Sequence, residues 1–179
     1  MATAESVSGL DLIVCACGEQ EYTAREAVDA TIFRGELDDK WEKFLREVAV
    51  ENRADELDLD VDETAISAAA EGFRYEHDLI TAEETESWLA NRALTFDDFS
   101  DYFTRKYYAS TVRENVVPDK IEYHSAPPEL RQAFLADLIL SGEFERMMSD
   151  LMWRLAARCA EKDPAPEALS AEEQSFFER

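Results

Sequence analysis

Helix punctuation constrains this chain more than any other feature of its sequence. Between Leu57 and Asn115 three amphipathic segments follow one another, each opened by a capping residue. Asp62 precedes the first, Thr81 with Glu84 opens the second, and Thr95 with Asp98 opens the third. Thr23 with Glu26 and Ser170 with Glu173 repeat the spacing elsewhere. In such a capping box each side chain satisfies a backbone donor of the other residue, and Thr95 with Asp98 is a version with a shorter acid. Val61 with Ile66, and Leu94 with Phe99, stand where a hydrophobic staple would close over the cap. Gly35, Pro118, Pro127-Pro128, Gly142, Pro164 and Pro166 fall between the helical patterns, as helix stops should. No stretch alternates convincingly as a strand, so an all-α fold is expected.

The apolar spacing adds a core. Leu37, Trp41, Phe44, Leu45 and Val48 recur at helical intervals, as do Ile66, Ala69, Ala70 and Phe73. The segment from Thr95 carries Phe96, Phe99, Tyr102, Phe103, Tyr107 and Val112, a wider apolar face than one neighbouring helix covers. Either several helices pack around it or part of it lines a groove. Leu130, Phe134 and Leu138, then Phe144, Met147, Met148, Leu151, Leu155 and Cys159, supply packing partners after Pro128. The expected organisation is an N-terminal segment 1–20, a helical domain 21–162, and a linker with the start of a further helix over 163–179.

Charge narrows the function. Forty-one Asp and Glu against 18 Lys and Arg give a formal net charge of -23, which disfavours nucleic-acid backbones and anionic membranes and favours a basic partner. The segment Met1 to Ser8 has no basic residue before the short apolar run Leu10–Ala16, and no run approaches the roughly twenty apolar residues of a membrane span. Three cysteines, an odd number, fit a reducing compartment. A cytoplasmic protein is therefore expected.

Familiar chemistry is missing. Cys15-Ala16-Cys17 is tight for two ligands of one zinc, and His77, His124 and Cys159 stand isolated in sequence, so small buried thiols are the plainer reading. Asp58-Leu59-Asp60-Val61-Asp62 begins like an EF-hand loop, but Glu63 occupies the glycine position and Ala69 that of the closing carboxylate. It reads instead as a polar link ending in a helix cap, with Leu57, Leu59 and Val61 fastening it to the core. There is no phosphate loop, nucleophile elbow or histidine beside a nucleophile. The pairs Glu83-Glu84 and Asp97-Asp98 lie in first helical turns, where negative charge suits the macrodipole. No catalytic residue, metal or cofactor is expected.

From about Asp38 to Asn115 the chain resembles the SurA N-terminal-like helical domain of parvulin-associated chaperones. The resemblance rests on a Glu- and Arg-rich helix ending at the link Leu57–Asp62, a Phe-Arg-x-Glu ending at Phe73 to Glu76, and the Leu79-Ile80 turn. Trp88-Leu89 and the Leu-Thr-x-Asp-Asp-Phe start at Leu94 to Phe99 complete it. No prolyl isomerase domain accompanies it, because the chain after Pro118 is too short and too helical. The segment Glu-Thr-Glu-x-Trp-Leu is also similar to isomerase-related proteins of ribosomal peptide maturation systems. The resemblance implies a chaperone-like module holding an unfolded or precursor polypeptide for a modifying enzyme, with Glu129 to Glu161 packed back on the aromatic helix. Trp88, Phe99, Tyr102, Phe103, Tyr107, Met148 and Met152 are the candidate peptide-binding residues, with an acidic rim selecting a basic client. Two alternatives stand beside it. One is a subunit of a peptide-modifying enzyme using Cys15, Cys17, His77 or His124, and the other is a structural domain that forms a homodimer through the aromatic helix.

Overall fold

The computed structural model describes residues 9–17, 19–112 and 116–162, with side chains described for 9–16, 19–112 and 116–154. Seven helices occur among them: α1 (Ala24–Phe33), α2 (Asp38–Glu56), α3 (Glu63–Glu76), α4 (Ala82–Ala90), α5 (Phe96–Thr111), α6 (Pro128–Leu140) and α7 (Glu143–Lys162). The protein is mostly helical, and one correction is needed. Strands β1 (Ile13–Cys17) and β2 (Gln20–Thr23) form an antiparallel hairpin, with Ile13 opposite Thr23 and Cys17 opposite Gln20. The apolar run before Cys17 is too short for a helix, and its β-branched Ile13 and Val14 suit a pleated ribbon. Strand β2 crosses the boundary expected at residue 20, and Leu10, in a 3-10 turn at Gly9–Asp11, is buried in the main core.

The caps form as their chemistry requires. Thr23, Thr81 and Thr95 each accept from the backbone N–H three residues on, and Glu26, Glu84 and Asp98 each accept the cap residue's own N–H at 2.8 Å. These bonds to the charged form hold the Glu26 and Glu84 carboxyls below their usual range. Asp62 accepts from the N–H of Thr64 and Ala65, and Pro128 takes the first position of α6, where its missing donor costs nothing. Ser170, with its expected cap, lies outside the described residues.

Helix ends share a device. Residues Gly35, Asp58, Asp78 and Ala93 all have left-handed φ, between 51° and 70°. The next residue in each case donates back across six residues: Glu36 to Thr31, Leu59 to Ala54, Leu79 to Arg74 and Leu94 to Leu89. This is the Schellman pattern, which turns the chain sharply while satisfying orphan carbonyls. Leu79 and Leu94 are then buried directly after the turn. The Arg74 guanidinium clasps the first of these corners, donating to the carbonyls of Leu79 at 3.2 Å and Ile80 at 2.9 Å.

Helices α2, α5 and α6 make the centre. Helix α5 packs on α2, α3 and α6, while α7 lies against α6 and α1. Every residue from Phe134 to Leu140 is buried, so α6 is enclosed nearly all round. Trp41, Phe44, Tyr123 and Phe134 interlock with ring centroids 5.0–6.0 Å apart. Buried rings of this size contribute about 1.5–3 kcal/mol each, plus the favourable edge-to-face geometry. A second, smaller cluster joins Val50, Ala54 and Tyr108. The link after α2 departs from expectation: Leu57, Leu59 and Val61 are exposed, and the attachment is polar, with the Tyr108 hydroxyl donating to the Leu59 carbonyl at 3.2 Å.

Candidate functional site

Among the described residues an opening runs along α2. Its helical wall is Asp38, Trp41, Glu42, Leu45 and Arg46, with Ile32 from α1 at one side. Residues 117–124 form the opposite wall, and the enclosed volume is about 670 Å³, within the range of ligand pockets. One bond ties the walls together: the Trp41 indole N–H donates to the Ile121 carbonyl at 2.6 Å. Local sequence explains the geometry. Pro118 cannot continue a helix, while Ile121 and Tyr123 anchor the irregular stretch against the core on either side of exposed Glu122.

The groove has an apolar floor and a charged rim. Trp41, Leu45, Ile32, Pro118 and Ile121 offer apolar surface, and Val117 stands 81% exposed at the edge. Four carboxylates, Asp38, Glu42, Asp119 and Glu122, face two permanent cations, Arg46 and Lys120. The rim therefore shares the negative sign of the whole chain. At one end His124 Nδ1 lies 3.9 Å from Asp29 Oδ1, a buried oxygen with no hydrogen-bond partner. Burial, with Asp29 adding to it, pushes the Tyr123 hydroxyl up to about 12, so this ring stays neutral.

A second cluster occupies the junction of α2, α5 and α6. Lys106 Nζ lies 2.6 Å from Glu47 and 2.8 Å from Asp137, and Arg105 Nε lies 3.2 Å from Glu51. Burial pulls the Lys106 ammonium toward the neutral form, but Asp137 and Glu47 together outweigh it and hold its pKa above the usual lysine range. Burial raises the Glu51 carboxyl, which Arg105 only partly offsets. The Arg105 guanidinium also lies over the Phe44 ring at 5.1 Å, although its buried Nη1 has no hydrogen-bond partner. The adjoining cavity is about 60 Å³, room for a water or two. Three of the chain's five lysines, Lys40, Lys43 and Lys106, border it, yet each is paired with Glu143, Glu47 or Asp137. This cluster links α2, α5 and α6 through ion pairs.

The sequence-predicted residues are placed elsewhere than in the groove. Phe99 and Phe103 are core residues, 6% and 8% exposed, and neither lines the groove. Phe73 from α3 packs edge-on against them at ring distances of 5.6 and 5.9 Å. Trp88 is half-buried, packed edge-on against Phe73 and covered by Arg92 at 4.0 Å. Tyr102 is half-buried under Lys106, Tyr107 packs on the smaller cluster, and Met148 packs on the main core. Met152 alone of the seven is exposed. The apolar face of α5 is wide because α2, α3 and α6 all pack on it.

Trp41 and Leu45 read as helix core from the sequence and are buried there, and they also line the groove, which their own spacing did not signal. One signal was available: the apolar residues of Val116-Val117-Pro118-Asp119-Lys120-Ile121 stand in a proline-interrupted link that cannot bury them as a helix would. Asp137, a carboxylate inside the buried run Phe134–Leu140, likewise flags the ionic lock.

Cys15 and Cys17 share β1, while His77 and His124 stand at the end of α3 and in the 3-10 turn Tyr123–Ser125. Cys15 is a free, half-buried thiol on β1, raised in pKa by burial and by the Glu26 charge. His77 stacks on Phe73 at 4.2 Å and His124 lines the groove, while the side chains of Cys17 and Cys159 lie outside those described. Among the described residues no three His, Cys, Asp or Glu side chains converge as metal ligands, and no helix is long and apolar enough to cross a membrane. No family model, curated protein or solved structure matches this chain.

Proposed function

We propose that this protein is a peptide-binding, chaperone-like module that holds a basic, unfolded or precursor polypeptide in the groove between α2 and residues 117–124. The observation that carries the reading is the groove itself: an apolar floor of ligand-binding size under a rim of excess carboxylates. Apolar contact supplies affinity, and the rim supplies encounter rate and choice of partner. Handing the held peptide to a modifying enzyme in the cytoplasm completes the proposal. Kinship with the SurA N-terminal-like domain is part of it and rests on the order of motifs from Asp38 to Asn115. Those motif residues serve the fold: Arg74 clasps a corner, Leu79, Leu89, Leu94 and Phe99 are buried, and Glu84 and Asp98 cap helices. They therefore support a scaffold and leave binding to the groove.

Titration with an array of unstructured peptides tests the proposal, with tryptophan fluorescence as the signal because Trp41 lines the groove. Saturable binding at micromolar or tighter affinity is expected, preferring peptides that mix basic and apolar residues. Val117→Asp should weaken that binding at least tenfold while the melting curve stays in place. Absence of binding across the array would end the reading.

A homodimer has its own supporting observation. Phe33 on α1 and Trp153 on α7 are 88% and 79% exposed, and large apolar side chains left open commonly meet a partner. Sedimentation of wild type beside a Phe33→Ser, Trp153→Ser variant decides it, since only an interface through these rings would lose mass on substitution.

A further inference from the structure

Residues 116–122 belong to neither helix nor strand. Glu122, at the end of the stretch, has extended backbone with φ −71° and ψ 139°. Among the described residues, the N–H groups of Val117, Asp119, Lys120, Ile121 and Glu122 make no hydrogen bond to backbone or side chain. Only two carbonyls of the stretch are engaged, Ile121 by the Trp41 indole and Glu122 by the Ser125 N–H. The opposite wall is a helix, whose interior amides are all spent on its own turns. One wall of the groove thus carries main-chain donors and acceptors that no bond among the described residues uses, and the other is a helix.

We propose that the groove takes its client as an extended basic peptide that lies alongside residues 117–122 and pairs with them through main-chain hydrogen bonds. This inference rests on the peptide-binding reading and specifies its mode. Addition to an open main-chain edge draws affinity from backbone bonds and specificity from pockets for alternate side chains. Alternate residues of an extended client point to opposite sides. One set enters the apolar floor at Trp41 and Leu45, and the other meets the rim carboxylates Asp38, Glu42, Asp119 and Glu122. Pro118 has no N–H, so the pairing is interrupted there, as proline commonly does on edge strands. A helical client has its own amides satisfied and gains nothing from this edge.

The test uses the full chain and a capped ten-residue peptide alternating leucine with arginine and serine. Two versions carry N-methyl groups on alternate residues, one in each register, which deletes donors while keeping side chains. A fourth peptide has glutamate in place of arginine. The parent peptide should bind, one N-methyl register should bind at least tenfold more weakly than the other, and the glutamate version should bind least. Amide exchange at residues 119–122 should slow at least tenfold in the parent complex. Binding of the parent with equal affinity in both methylated registers and unchanged exchange would overturn the extended pairing and leave the peptide-binding reading standing. Equal binding of the glutamate peptide would overturn the basic preference. Failure of all four peptides would overturn the reading and the inference together.

Discussion

Two aromatic regions of this protein have similar ingredients and opposite outcomes. At the α3–α4–α5 corner, Phe73, Trp88, Phe99 and Phe103 pack edge to face at 4.9–5.9 Å, with His77 stacked on Phe73 and Arg92 on Trp88. Along α2, Trp41 shares three of its sides with Phe44, Tyr123 and Phe134 but spends its indole N–H on the Ile121 carbonyl beside an open groove. The first region has a helix on each side of its rings. The second faces a chain segment broken by proline, which spans the gap without filling it. Both clusters belong to the main core, and one of them borders an opening because its last neighbour is an irregular stretch of chain and not a packed helix.

The sharpest way to break this comparison is to change one side chain in each region. Phe103→Ala should cost about 3–5 kcal/mol, the price of a buried aromatic plus the cavity it leaves. Val117→Asp, at a position 81% exposed, should stay within about 0.5 kcal/mol. Chemical denaturation of both variants measures this directly. A Phe103→Ala variant that loses less than about 1 kcal/mol would mean the corner is loose enough to admit a ligand after all.

Helix α5 has a third commitment, to charge. Lys106→Met leaves Glu47 and Asp137, with 9% and 12% of their side chains exposed, to the more distant cations Lys43, 3.7 Å from Glu47, and Arg105, 3.8 Å from Asp137. Breaking a buried pair typically costs 3–5 kcal/mol. Lys106 is itself 28% exposed, so water recovers part of that, and about 2–3 kcal/mol is the expected loss. Lys106→Met combined with Glu47→Gln and Asp137→Asn should recover much of it. Failure of the triple variant to recover would show that packing by the lysine stem, not charge, holds the junction.

The pH response separates the same junction from the capped helix starts. Burial raises the folded-state pKa of Glu51 above 4.5, so the folded chain binds this proton more tightly than the unfolded one. Its contribution is therefore fully present below pH 4.5 and is lost as pH rises through the folded value. Glu26 and Glu84 have lowered values, and their contribution runs the other way, present above 4.5 and lost in acid. Glu51→Gln should thus gain on wild type as pH rises from 4.5 to 7, read as the difference between the two melting temperatures. A constant difference would remove the assigned role of desolvation.

Much of this fold was legible because its helix starts obey local chemistry. Thr23, Thr81, Thr95, Asp62 and Pro128 act on donors within three residues, so no tertiary information is needed to read them. The hairpin was not legible, since its two short strands are stabilised by each other and by the neighbouring Leu10 and Ala24 buried in the main core. The groove was less legible still. Trp41 looks the same in sequence whether a helix or a proline-broken segment comes to lie across it, and that partner arrives 80 residues later. Side chains that meet only through the fold, such as Lys106 with Glu47 and Asp137, carry no spacing to read.

Helix ends are the intermediate case, and Ala93 is the instructive one. Gly35 announced its left-handed turn, whereas Asp58, Asp78 and Ala93 perform the same turn without glycine. Aspartate tolerates that region through its short polar side chain, but alanine has no such compensation, and its Cβ costs roughly 1–2 kcal/mol there. The corner survives because Leu94, buried at 5%, is drawn into the core at the next residue and its N–H bonds to Leu89 at 2.9 Å. Ala93→Gly relieves the strain and gives back about 0.5–1 kcal/mol in unfolded-chain freedom, so a net gain of about 0.5 kcal/mol is expected. The same substitution should leave peptide affinity unchanged, because the corner it relaxes belongs to the filled aromatic region and not to the groove. A variant that is more stable but binds differently would show that the two regions are coupled through α5, and that the distinction between them is one of degree.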